Sequence, residues 1–198
     1  MPTGAEYQKK GTDLFMRRDY EGAAEQFEQA KAAFDSEDKP DLGMEMLVNL
    51  GLIDHRLGNF DAAVEKLSRA RQFFDEHKDA VRSAMVIGNL GGLYLQEGNL
   101  EQAFTLLREA ADTFKEAGEE DKYGETLFEL ARMQAKSGKW MDAIASYEVA
   151  LDLVKKPTLR QKMLKQAIKL RNRAFGGGAL KAIEADKDEK KPETAEEK

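Results

Sequence analysis

An all-α solenoid of helix pairs is the fold class this chain predicts, and three observations predict it. The frame Asn89–Ala110, NLGGLYLQEGNLEQAFTLLREA, recurs as NLGLIDHRLGNFDAAVEKLSRA at Asn49–Ala70 and as ELARMQAKSGKWMDAIASYEVA at Glu129–Ala150. A weaker copy, KKGTDLFMRRDYEGAAEQFEQA, fills Lys9–Ala30, so the copies begin at residues 9, 49, 89 and 129, a period of 40. A fixed period of that size is the mark of stacked repeats. Composition agrees: 198 residues are 41% hydrophobic and 34% charged, with 4 prolines. Amphipathic helices with one wet face need that mixture, and the abundant Ala, Leu, Glu and Lys favour helix. Period-two alternation, the signal for strands, is missing.

Each element follows from its apolar spacing. A first helix is expected from about Gly4 to Arg18, burying Tyr7, Gly11 and Leu14 at intervals of three and four. Asp19 is its successor's N-cap, since a carboxylate there accepts an orphan backbone N–H. That second helix carries Ala23, Phe27, Ala30 and Phe34. After the loop Asp35–Asp41, Pro40 suits a first helical turn, where its missing N–H costs nothing. The second pair has Leu47, Leu50, Gly51 and Leu57, then Gly58 as a left-handed helix end and Asn59 as a cap. Its second stripe is Phe60, Ala63, Leu67, Ala70 and Phe74. The third pair has Ile87, Leu90, Gly91 and Tyr94, then Gly98-Asn99, then Leu100, Ala103, Leu107, Ala110 and Phe114. The fourth has Leu127, Leu130 and Ala131, then Gly138, then Trp140, Ala143, Tyr147 and Ala150.

Small residues at 11, 51, 91 and 131, and at 23, 63, 103 and 143, let the helices of a pair approach closely. Four repeats are therefore expected within 1–156, at about 4–35, 40–75, 80–115 and 120–154. A ninth helix over 157–175 is expected to cap the array through Leu159, Met163, Ala167, Leu170 and Ala174. Its other face is basic, with Arg160, Lys162, Lys165, Lys169, Arg171 and Arg173. Gly176-Gly177-Gly178 should break that helix, and the charged tail 176–198 reads as disordered.

Composition also excludes functions. A net charge of −6 argues against a nucleic-acid partner. With no Cys, disulfides and thiolate chemistry are excluded. The N-terminus MPTGAEYQKKG has no apolar signal core, and no apolar run reaches membrane-span length, so a cytoplasmic protein without membrane insertion is expected. His55 and His77 lie in no metal-binding spacing and read as solvated; no catalytic residue, metal or cofactor is expected. Glu119-Glu120 reads as a helix start rather than a catalytic dyad. Asp54 falls on an apolar face and needs a partner or partial exposure.

The residues Leu90-Gly91, Tyr94, Gly98, Leu100, Ala103, Leu107 and Ala110 resemble the tetratricopeptide repeat, and the resemblance covers about Gly4 to Leu153. Arg18 replaces a turn Gly, and Asp54 and Gln134 stand at the Tyr position. The common spacing in that family is about 34; a period of 40 resembles its kinesin-light-chain-like and Leu-Gly-Asn-type subgroups. The resemblance implies a right-handed superhelix whose first helices line a concave groove. The chain would be a monomeric scaffold holding a peptide or helix of a partner protein there. A self-associating architectural protein and a ligand-sensing module are the alternatives. By register, Val48, Asn49, Leu52 and Arg56 face the groove, as do Asn89, Leu95, Phe128 and Arg132. Asn49 and Asn89 are equivalent, and a side-chain amide matches an extended peptide backbone. The carboxylate clamp of chaperone-binding relatives is not expected, because Met85 and Asn89 stand where its basic pair would be.

Overall fold

The computed structural model describes residues 2–155 and 157–175, and the described residues contain nine helices and no strand. These are α1 (Gly4–Met16), α2 (Tyr20–Ser36), α3 (Pro40–Arg56), α4 (Phe60–Glu76), α5 (Ala80–Gln96), α6 (Leu100–Glu116), α7 (Glu120–Lys136), α8 (Trp140–Leu153) and α9 (Leu159–Phe175). Each helix packs on its successor within two compact units, Met1–Gly118 with α1–α6 and Glu119–Lys198 with α7–α9. Among the described residues no helix is long and apolar enough to cross a membrane.

The regularity is finer than the sequence period. Helices α2 to α7 each hold 17 residues, and each starts 20 after the last. One residue per turn takes positive φ: Arg18 (65°), Asp38 (56°), Gly58 (84°), Lys78 (56°), Gly98 (83°), Gly118 (72°) and Gly138 (74°). At the turns of residues 18, 38, 58, 78, 98 and 138 the next backbone N–H reaches back five residues at 2.8–3.0 Å, as from Asp19 to Leu14, Asp79 to Phe74 and Lys139 to Gln134. This 6→1 bond closes an orphan carbonyl at those helix ends. Turns within a repeat, such as that at Gly58, and between repeats, such as that at Lys78, are thus built alike. Lys78 bears a side chain in a conformation that costs L-residues roughly 1 kcal/mol or more. Lys78→Gly is expected to raise unfolding free energy by about 1 kcal/mol, read as a higher urea midpoint; an unchanged midpoint would mean the turn is unstrained.

The caps divide. Asp19, Asp79 and Asn99 accept from the N–H of Gly22, Arg82 and Gln102 at 3.0, 2.9 and 3.2 Å. Asn59 occupies the cap position, but its side chain makes no cap bond, contrary to the sequence reading. Leu57, read as part of a buried stripe, is the C-cap of α3 and is exposed, because the chain leaves the helix there.

In the first unit, Ala23, Phe27, Ala30 and Phe34 of α2 meet Met46, Leu50 and Ile53 of α3. Ala63, Leu67, Ala70 and Phe74 of α4 meet Val86, Leu90 and Leu93 of α5. The recurrent glycines sit where expected. A Cβ on Gly11 would lie 3.0 Å from the Phe27 ring, on Gly51 3.2 Å from Ala63 O, and on Gly91 2.8 Å from Leu107 Cγ. Asp54 finds its partner: Lys66 Nζ lies 2.6 Å from its carboxylate. Gln134, the equivalent residue two repeats on, accepts from Ser146 Oγ at 2.8 Å. Lys66 and Ser146 are themselves equivalent, so a polar residue on the first helix of a pair is answered on the second.

In the second unit, Leu127, Leu130, Ala131 and Met133 of α7 and Ala143, Ala145, Ala150 and Leu151 of α8 are buried. A capping box between Thr158 and Gln161 starts α9. The helix docks on α8 through buried Ile168, through Asn172 donating to Glu148 at 2.8 Å, and through Lys165 beside Asp152 at 2.6 Å. This reverses the expected capping face. Leu159, Met163 and Leu170 point to solvent, because the mixed polar face carrying Gln161, Lys165, Ile168 and Asn172 is the one turned to α8. Trp140, read as buried, is 64% exposed. Its equivalent Phe60 lies edge-on against Tyr94 of the following pair at 5.4 Å, whereas the position corresponding to Tyr94 in α9 holds Ala174. The expected glycine break and disordered tail lie outside the described residues.

Candidate functional site

In the first unit, helices α1, α3 and α5 turn polar and apolar side chains toward one open cavity of about 310 Å³. Gln8 comes from α1, Glu45, Val48, Asn49 and Leu52 from α3, and Arg82, Met85, Val86 and Asn89 from α5. Phe74 of α4 reaches it from behind. Residues 45, 48, 49 and 52 share a helix face by their spacing of three and four, as do 82, 85, 86 and 89. The cavity forms because two equivalent faces lie side by side. Its middle is apolar, with Val48, Leu52 and Val86.

The two amides there are half-buried. Among the described residues neither the Asn49 nor the Asn89 side chain makes a hydrogen bond or other polar contact. Donor and acceptor capacity is left over at both.

One end of the cavity is charged. Arg82 donates to Asp41 at 2.9 Å, and its Nε lies 3.3 Å from Glu45 and 3.4 Å from Asp79. The guanidinium also lies over the Phe74 ring, 5.7 Å from its centre. Arg82's hydrogen bond holds the Asp41 carboxyl below its usual range, and the same bond raises the Arg82 pKa. Burial pushes the Glu45 carboxyl above its usual range; Arg82 opposes the rise, and Asp41 and Asp79 add to it. Three carboxylates surround one cation, so this end of the cavity carries negative charge.

The structure sorts the residues expected in the groove. Val48, Asn49, Leu52 and Asn89 line the cavity together. Arg56 is exposed at the end of α3 and does not line it. Leu95 is 1% exposed and cannot line an open groove. Inner helix α5 meets α3, α4 and α6, which leaves it a narrower free face than register alone allowed. Phe128 and Arg132 belong to α7 of the second unit. The Phe128 ring lies 5.9 Å from that of Tyr147, and Arg132 Nη1 donates to both carboxylate oxygens of Glu129 at 2.7 and 2.8 Å.

The His55 side chain is only 10% exposed, not solvated as expected; it lies 3.4 Å from Glu97 and edge-on to Phe60. His77 is exposed and stacks on Phe73. Sequence reasoning missed Glu45 and Arg82. The available signal was the crowding of Asp41, Glu45, Asp79 and Arg82 into the first turns of two equivalent helices.

Comparisons with known proteins come from three directions. The family model described as "Soluble NSF attachment protein, SNAP" matches residues 6–169. No curated protein matches the chain. Among solved structures, BtubC (BKLC) from P. vanneervenii is similar at 20% identity and a TM-score of 0.63, over 84% of this chain and 64% of that one. The Rap conjugation gene regulator of plasmid pLS20, solved with the Phr* peptide, is similar at 17% identity and a TM-score of 0.66, over 87% of this chain and 52% of that one. A tetratricopeptide repeat protein from Parabacteroides merdae is similar at 21% identity and a TM-score of 0.54, over 87% and 64%. The chain spans less than two thirds of each of these three proteins. At such identities the likeness concerns the fold, a helical repeat array of the tetratricopeptide kind.

Proposed function

The chain belongs to the soluble NSF attachment protein (SNAP) family, and from that premise we propose that it is a protein-binding scaffold rather than an enzyme. Its occupant is an extended segment of a partner protein, lying in the cavity across α1, α3 and α5. One observation carries this reading: equivalent amides on adjacent repeats, Asn49 and Asn89, line one cavity with no partner among the described residues. Each amide can give and take one hydrogen bond from a peptide backbone. Val48, Leu52 and Met85 offer apolar contact to the side chains between. The acidic surroundings of Arg82 favour a segment carrying Lys or Arg near Glu45. The Rap regulator, with the same kind of fold, was solved with a peptide bound, which supports a peptide-sized occupant.

Panning a displayed random peptide library against the full chain, then titrating a synthesised winner by calorimetry, tests this reading. Enriched peptides are expected to carry basic residues. The double change Asn49→Ala and Asn89→Ala is expected to weaken binding by about 2 kcal/mol, roughly 30-fold in Kd. Its thermal melt should not fall, since Ala is the better helix former. Equal affinity of the two proteins for the winning peptide, or no enrichment, would count against the groove.

A further inference from the structure

Helix α9 carries a surface that the groove does not use. Leu159, Met163 and Leu170 are 75%, 63% and 64% exposed, and Ala167 and Ala174 are exposed with them. At 100° per residue these five fall within one narrow strip, opposite the Ile168 and Asn172 side that docks on α8. Exposed cations stand on both margins of the strip, Arg160 on one and Lys162, Lys169 and Arg173 on the other, while Arg171 turns its guanidinium onto Asn172 at 2.6 Å. No acidic residue occurs between 159 and 175. Among the described residues Arg160, Lys162, Lys169 and Arg173 have no ion-pair partner. In a chain of net charge −6 this segregation is the opposite of the average.

We propose that α9 is a membrane-surface element that lays its Leu159–Met163–Leu170 strip into the headgroup boundary of an anionic leaflet. The charge pattern selects that occupant. A partner helix filling a strip on a convex helix would need carboxylates along both of its own flanks. An anionic leaflet meets Arg160 on one margin and Lys162, Lys169 and Arg173 on the other at once, while the long Lys and Arg stems cover the apolar edge. The helix is not long and apolar enough to span a bilayer, and its low mean hydropathy suits a helix lying in the interface plane. Docking through Ile168 and Asn172 keeps α9 on the protein while its other face stays free. Each basic residue near an anionic surface strengthens partitioning by roughly fivefold.

The test is co-sedimentation of the full chain with vesicles of phosphatidylcholine alone and of phosphatidylcholine mixed with phosphatidylserine. The protein is expected to pellet with the mixed vesicles only, and less so as salt rises. Lys162→Gln, Lys169→Gln and Arg173→Gln together should weaken partitioning on the order of 100-fold. Leu159→Gln, Met163→Gln and Leu170→Gln together should abolish most of it. All six residues are exposed, so both variants should keep the parent melting curve, and this is checked alongside. The proposal falls if the wild type ignores mixed vesicles, or if neither folded variant loses binding. It also falls if light scattering shows a concentration-dependent dimer that the apolar variant removes while vesicle binding is absent, because a second copy then covers the strip.

Discussion

Phe74→Ala is expected to lower the unfolding free energy by about 3–5 kcal/mol. Phe74 is buried at the end of α4 among Leu67, Ala70, Val86 and Leu90. It lies edge-on to Phe73 at 5.6 Å and under the Arg82 guanidinium. Truncation leaves a hole beside a cavity that is already open, and removes the ring face from beneath a half-buried cation. Neighbouring helices have limited room to collapse, because 17-residue helices joined by three-residue turns cannot shift independently. Guanidinium unfolding followed by circular dichroism reads the effect as a lower midpoint. A loss below about 1 kcal/mol would mean the end of α4 is not packed as described.

Gly91→Leu should cost about 3 kcal/mol, the upper end for an overpacked core. A Cβ at 91 would lie 2.8 Å from Leu107 Cγ and 3.2 Å from the Leu107 backbone nitrogen. A side chain could turn away; a backbone nitrogen in mid-helix cannot, so α5 and α6 must separate. Gly92 provides the control, since a Cβ there meets nothing within 4 Å. Gly92→Ala should stabilise by about 1 kcal/mol from helix propensity alone. If both substitutions shift the midpoint in the same direction, the helix contact is not at Gly91.

Much of this fold was legible because the chain states its packing rule repeatedly. Gly11, Gly51 and Gly91 each press against the helix that follows, and the alternation of small and large residues fixes which face meets which. What could not be read depends on a neighbour that the repeat does not supply. Trp140 occupies the place of Phe60, yet Ala174 follows it where Tyr94 follows Phe60. The α9 stripe has an acceptable helical period on either of two faces, and a buried Ile168 with polar companions decided the docking. At the site, Asn49 and Asn89 were found because they are equivalent to each other. Arg82 and Glu45 were not, because their relation crosses from one repeat to the next without occupying equivalent positions. Leu95 shows the converse limit: register gives direction around a helix, and the number of neighbours decides how much of it stays open.

The uniform turn bears on how such a gene can change in length. With turn residues at 18, 38, 58 and onward, inserting or deleting 20 residues would preserve every helix length and every turn. It would still be ruinous, because odd and even helices are not interchangeable. Position 11 of the forty is small so that the next helix can approach, whereas the following helix places its alanines at positions 23 and 30. A twenty-residue slip would bring two helices of the same kind together, leaving bulk against bulk on one side and a void on the other. Viable duplications therefore come in whole pairs, each adding one more cavity-facing helix together with one that backs it. In such a lineage the length of the cavity-lining surface is inherited in discrete steps, and its chemistry varies most readily at positions like 49 and 89, which line the cavity and lie outside the buried core.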